Sequence, residues 1–252
     1  MRLQNRVAVV TGAATGLGRV YALRLAAEGA DVCAADIDVA GVEKTAAMIR
    51  EKGRKSLALK MDVTSEEETV KGARTVFDTF KRVDILVNNA GIVRNVPRIP
   101  LQDLTLAEWN RIINVNLTGT FLASKAFVPY IIQTGKGKII NVSSGVALHG
   151  TALRQDYIAS KAGVIGFTRA LAVDLGQFNI NVNVVTPAGV DASEARGEAP
   201  RPLPASSMAG RYIHRQLLPR DLEGVIAFLA SDDSDMITGQ VINVDGGRVF
   251  VG

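Results

Sequence analysis

Short apolar runs rich in β-branched residues alternate, almost from end to end of the chain, with longer stretches of helical periodicity. This alternation restricts the fold more than any other feature. Strands are expected at residues 7–10, 31–36, 56–60, 84–87, 138–142, 181–185 and 240–244. Helices are expected at 16–29, 39–52, from 64 onward, and at 106–114, 117–133 and 156–178. Strands and helices in strict alternation demand an α/β fold: a parallel sheet of about seven strands, helices on both faces, joined by right-handed crossovers. The strands read as continuous apolar runs, as expected where both faces are covered. Such sheets bind ligands beyond the carboxyl ends of the strands, near the point where the strand order reverses. At 252 residues the chain fits one domain of this class, spanning 1–252.

Composition narrows the function classes. Apolar residues make up 47% of the chain and charged residues 21%, the balance of a soluble globular protein. The start lacks the apolar segment of a secretion signal, and no apolar run approaches the roughly 20 residues of a membrane span. Cys33, the one cysteine, sits in the apolar run Val32-Cys33-Ala34-Ala35 and reads as a packed strand residue. A cytoplasmic protein with no membrane partner is expected. The net charge of +4 does not signal nucleic-acid binding, because basic residues are scattered singly among Asp and Glu. His149 and His214 are the two histidines and lack a ligand cluster, so no metal is expected. One segment, 191–216, breaks the alternation with Ser, Gly, Ala and Pro, including Pro200, Pro202 and Pro204. It reads as an irregular flap over a substrate or as a passive surface loop.

The first strand runs into Thr11-Gly12-Ala13-Ala14-Thr15-Gly16-Leu17-Gly18, followed by a helix. Glycines there let the backbone turn tightly and approach a pyrophosphate, which the helix N-terminus then favours. Asp36 ends the second strand, where a carboxylate accepts hydrogen bonds from ribose hydroxyls and repels a 2′-phosphate. Thr15 rather than a basic residue precedes Gly16, and Ile37 follows Asp36, so NAD is favoured over NADP. Near the other end of the fold, Tyr157 and Lys161 lie four residues apart and share a helix face. An ammonium and an oxidised nicotinamide beside a phenol favour the phenolate, enabling proton exchange with a substrate hydroxyl near neutral pH.

These motifs resemble those of the short-chain dehydrogenases/reductases, and the resemblance covers nearly the whole chain. Thr11 to Gly18 matches the family's cofactor fingerprint, Asp62-Val63 its adenine-contacting pair, and Asn88-Asn89-Ala90-Gly91 its sheet-stabilising motif. Asn116 matches the catalytic asparagine, Ser144, thirteen residues before Tyr157, the catalytic serine, and Tyr157-Ile158-Ala159-Ser160-Lys161 the rest of the tetrad. Ser143 is the less favoured serine. Ile237-Thr238-Gly239-Gln240 and Val244-Asp245-Gly246-Gly247 match the C-terminal signature. The resemblance implies a single-domain, Rossmann-type, doubly wound sheet and a homotetramer formed through the helices at 117–133 and 156–178. It implies cofactor contacts from Gly12, Thr15, Gly16, Leu17, Gly18, Asp36, Ile37, Asp62, Val63, Asn89, Ala90, Gly91, Tyr157, Lys161, Pro187 and Val190. Tyr157 would act as acid or base, Ser144 would hold the substrate oxygen, Lys161 would bind the nicotinamide ribose, and Asn116 would hold a relay water.

One departure stands out: Ala188 and Ala192 replace the glycine and threonine usual after the sixth strand. The substrate is expected to be a small or mid-sized secondary alcohol or its carbonyl. Pocket candidates are Val93, Arg94, Asn95, Gly145, Val146, Leu153 and Arg154, with His149 placed equally well in the pocket or on the surface. A 3-oxoacyl thioester reductase is the alternative, although Gly135 and Phe178 stand where such enzymes carry basic docking residues. A non-catalytic dinucleotide sensor would be expected to lose Tyr157 or Lys161, and both are present.

Overall fold

The computed structural model describes residues 1–93, 96–199 and 209–251. Arg94 and Asn95, and the proline-rich part of the expected flap from 200 to 208, lie outside the described residues.

Seven strands form one parallel sheet: β1 (Val7–Thr11), β2 (Asp31–Asp36), β3 (Ser56–Lys60), β4 (Ile85–Asn88), β5 (Gly137–Val142), β6 (Ile180–Pro187) and β7 (Val241–Val244). Their order is β3-β2-β1-β4-β5-β6-β7, so the winding reverses between β1 and β4. The helices are α1 (Gly16–Ala27), α2 (Val39–Arg50), α3 (Glu66–Phe80), α4 (Leu106–Ile113), α5 (Gly119–Ile132), the short α6 (Val146–His149), α7 (Gln155–Leu175), the short α8 (Ser193–Arg196) and α9 (Arg220–Ala230). Between α4 and α5 the residues Asn114–Thr118 form a wider π turn.

Alternate residues of one strand feed two cores, which is why the strands read as unbroken apolar runs. Ala8 and Val10 of β1 pack with Tyr21, Leu25, Val42 and Ile226 from α1, α2 and α9. Val7 and Val9 pack on the other face with Val76, Phe127, Ile131 and Leu175 from α3, α5 and α7. Cys33 of β2 is fully buried on that second face.

A buried polar seam ties the site-bearing helices to the sheet. Asn88 Nδ2 donates to Ser124 Oγ on α5 and to Asn141 Oδ1 on β5, each at 2.9 Å. Asn141 Nδ2 in turn donates to Thr168 Oγ1 on α7 at 2.9 Å. Buried amides are satisfied only in a particular register, so this seam sets how α5 and α7 sit over β4 and β5.

Elements differ from expectation at α6, α8 and α9. No helix was expected between 216 and 240, yet α9 lies there, opened by Pro219. Its buried Leu222, Ile226 and Leu229 recur at helical spacing, a signal present in the sequence. Within the expected irregular segment, Ser193–Arg196 forms a single helical turn. Among the described residues no helix is long and apolar enough to cross a membrane.

Candidate active site

At the switch point, the turn from β1 into α1 is held by contacts that exclude side chains. Gly12 has φ +67°, and a Cβ there would stand 2.7 Å from Ala90 Cα. A Cβ on Gly18 would meet the carbonyl oxygen of Gly12 at 2.0 Å. Gly16, with φ +58°, needs glycine for its backbone conformation. Asn89 Nδ2 donates to the carbonyls of Thr11 (3.0 Å) and Gly12 (3.2 Å), and Ala90 N donates to Thr11 Oγ1 at 3.0 Å. The Asn89-Ala90-Gly91 segment at the end of β4 therefore shapes the glycine turn.

The start of α1 is chemically distinct from its neighbours. Asp38, Ser65 and Thr105 cap α2, α3 and α4 by accepting from the N–H groups of Gly41, Glu68 and Glu108. Thr15 leads α1 in extended conformation without a side-chain cap, and the first turn of Gly16, Leu17 and Gly18 contains no acid. A helix start left this way favours an anionic group. It fits the pyrophosphate of a dinucleotide.

Asp36, at the end of β2, accepts from Ala14 N and Asp38 N, each at 3.1 Å. Ile37 beside it is exposed. Asp62 Oδ1 accepts from the amide and hydroxyl of Thr64, while Val63 is buried against Gly119. Pro187, at the end of β6, accepts from Gly145 N at 2.8 Å, and Val190 pairs in a short bridge with Leu217.

The expected tetrad converges at the ends of β4 and β5. Tyr157, on the first turn of α7, is buried, and the Ser144 hydroxyl is near enough to favour its ionised form. Ser143 is committed elsewhere, its hydroxyl donating to the Lys161 carbonyl at 2.6 Å. Lys161 is also buried, with Nζ donating to the Val142 carbonyl at 2.9 Å. Asn116, within the π turn, donates to Ser160 Oγ at 3.1 Å and accepts from Ile92 N at 2.7 Å. A Cβ on Gly91 would stand 3.0 Å from Asn116 Oδ1 and 3.4 Å from Lys161 Nζ, which places these three residues around one point.

Burial decides the electrostatics. It pushes the Lys161 ammonium down to about 8. It also raises the Tyr157 phenol above its usual value, against smaller opposing contributions from the Ser144 hydroxyl and the Arg154 charge. The sequence reading had the nearby ammonium lowering the Tyr157 pKa. In this state desolvation outweighs that influence, and the nearby cation acting on Tyr157 is Arg154.

Arg154 was expected to line the pocket, but its stacking on Tyr157 has no counterpart in the sequence motif. Arg19, which sequence reasoning passed over, braces the glycine turn. Its Nε donates to Thr45 Oγ1 at 3.0 Å, Nη2 to the Ala14 carbonyl, and Nη1 to the Ala195 carbonyl of α8 at 3.5 Å.

Comparison with known proteins agrees with this geometry. The family model described as Enoyl-(Acyl carrier protein) reductase matches residues 12–248. The 3-oxoacyl-(acyl-carrier-protein) reductase FabG of Thermotoga maritima is 36% identical over 99% of this chain and 100% of its own length. The cis-4-hydroxycyclohexanecarboxylate dehydrogenase of Sinomonas cyclohexanicum is 38% identical over 98% of each chain. The carveol dehydrogenase of Mycobacterium avium, solved in complex with NAD, superimposes with a TM-score of 0.89 at 31% identity, covering 98% of each chain.

The depressed Lys161 pKa carries a stability consequence. Folding is opposed fully below pH 8, because the unfolded chain binds the proton with the ordinary pKa of 10.5, and the opposition fades as pH rises from 8 to 10.5. In nucleotide-free protein, Lys161→Met is expected to raise stability at pH 7 by roughly 1–3 kcal/mol. Urea denaturation at stepped pH should show the gap to the parent narrowing across that window.

Proposed function

The chain belongs to the short-chain dehydrogenase/reductase family, oxidoreductases of alcohols and carbonyls, and on that premise we propose that it is an NAD-dependent dehydrogenase of small or mid-sized secondary alcohols. The observation that carries the reading is the convergence of Asn116 Oδ1 and Lys161 Nζ beside Gly91, with Tyr157 buried one helical turn before Lys161. The bound dinucleotide supplies a hydride acceptor for the alcohol carbon. Ser144 holds the substrate oxygen at Tyr157, and the Tyr157 phenolate takes the hydroxyl proton as the carbonyl forms. Lys161 would bind the nicotinamide ribose, its charge together with that of Arg154 offsetting burial of the phenolate, and Asn116 would hold the water that links Lys161 to solvent. In the reverse direction the protonated Tyr157 returns the proton to the oxygen.

NAD is preferred on the strength of Asp36, whose carboxylate stands at the end of β2 with no basic neighbour at Ile37. We assign the segment 191–216 the role of a flap within a single catalytic domain. Its support is the position of α8, which Arg19 holds against the start of α1. The likeness to the Thermotoga reductase supports 3-oxoacyl thioester reduction as the second reading. Gly135 and Phe178, which replace basic docking residues, weigh against it.

We further propose a cytoplasmic homotetramer assembled through α5 and α7. Phe121 of α5 and Val173 of α7 are exposed apolar residues, and Phe121 packs edge-on against Phe167. Light scattering is expected to return a mass four times that of the chain; a monomer mass would overturn the assembly.

Absorbance at 340 nm across secondary alcohols, aromatic alcohols and sugars, with NAD and NADP in parallel, tests the activity. Tyr157→Phe is expected to lower turnover by at least about 1,000-fold while NADH affinity by fluorescence titration stays within a few fold, since only the transferable proton is lost. Asp36→Ala is expected to relax the preference for NAD over NADP by roughly 10-fold or more in kcat/KM. Unchanged selectivity in that variant would overturn the assignment of Asp36.

A further inference from the structure

Arg154 immediately precedes α7 and lies against the residue on which the proposed chemistry turns. Its guanidinium carbon stands 4.5 Å from the centroid of the Tyr157 ring. Such stacking fixes the plane of the guanidinium and leaves its edge for hydrogen bonding. Nη2 donates to the Val93 carbonyl at 3.2 Å, a solvent-exposed contact just past the end of β4. Nε is buried without a partner.

What is missing around this side chain is a counter-charge. Among the described residues no carboxylate lies within ion-pair distance of Arg154. The nearest acid in sequence, Asp156, is buried and accepts from the Tyr157 amide at 2.7 Å. Some arginines of the fold are answered by carboxylates, Arg6 and Arg82 by Asp84, Arg54 by Asp31 and Arg215 by Asp221, while others such as Arg19 spread several bonds over neutral acceptors; Arg154 has one such bond. The backbone before Arg154 also carries an uncommon conformation. Leu153 has φ +62° and is held by the Ile99 amide, which donates to its carbonyl at 3.1 Å. Left-handed leucine is disfavoured and persists where surrounding contacts enforce it. Here it delivers an uncompensated cation to the face of Tyr157 and to Val93, both bordering the expected substrate pocket.

We propose that Arg154 is a specificity-determining residue that binds a carboxylate on the substrate, so that the preferred substrates are secondary alcohols bearing a carboxylate group. The inference rests on the proposed alcohol dehydrogenase activity and deepens it. A carboxylate suits the planar guanidinium, which can offer it two parallel donors.

The first measurement needs no turnover. Calorimetric titration of the enzyme–NADH complex with benzoate and cyclohexanecarboxylate, each against its carboxamide, is expected to show the carboxylate bound at least about 10-fold more tightly. In Arg154→Gln that ratio should collapse toward unity, and in Arg154→Lys a part of it should return. Equal binding of acid and amide by the parent, or a ratio unchanged in Arg154→Gln, would overturn the assignment. The second measurement is kcat/KM for hydroxy acids against their carboxamides in both variants. A specificity role lowers the acid-over-amide ratio by roughly 10- to 100-fold, whereas a merely structural role lowers both substrates alike and overturns it. Absence of turnover with any alcohol would instead overturn the dehydrogenase reading, and the calorimetric ratio would still decide the role of Arg154.

Discussion

The close approach of Gly12 and Gly18 to each other and to Ala90 is the contact on which the rest of the site depends. It draws the end of β1, the start of α1 and the end of β4 within a side chain's width of one another. On one side of that junction lies an uncapped helix start suited to an anion; on the other, the backbone at Gly91 runs on to Asn116 and Lys161. A methyl group on either glycine would separate the two halves of the site as well as spoil a turn. Their absence of side chains is therefore a distance constraint between cofactor and catalysis, imposed through packing.

Desolvation is the second organising force. Lys161 and Tyr157 are both buried, and each is pushed toward its neutral form, the lysine down and the tyrosine up. At neutral pH the cost of this burial falls on Lys161, since the Tyr157 phenol is uncharged whether folded or not. The site thus stores unfavourable energy in a lysine that the proposed proton transfer uses, and the polar seam of Asn88, Asn141 and Thr168 fixes the elements around it.

Much of this was legible in the sequence, and for identifiable reasons. Seven apolar runs stood out, five of them inner strands buried on both faces, and the sheet contains all seven. Spacing to Tyr157 favours Ser144 over Ser143, and the Ser143 hydroxyl donates to the Lys161 carbonyl. Asp38, placed just before a helical stretch, caps α2. What escaped were features that depend on relations between distant segments. The stripe of α9 was overshadowed by the polar loop before it. Arg19 bracing α8, and Arg154 stacked on Tyr157, arise only when loops fold back onto the sheet. The raised pKa of Tyr157 in the nucleotide-free chain was not legible, because spacing shows that an ammonium is near but not how much water has been removed.

Cys33 lends itself to a different use. Its thiol sits on β2, one strand in from the edge of the sheet, fully buried, and burial pushes its pKa up, so the reactive thiolate is suppressed in the folded chain. As the sole cysteine, it gives the protein an internal clock: modification by a thiol reagent can proceed only as fast as the strands around β2 part. The labelling rate then reports the frequency of deep opening, and its slowing with bound nucleotide would register how firmly the two halves of the sheet are clasped.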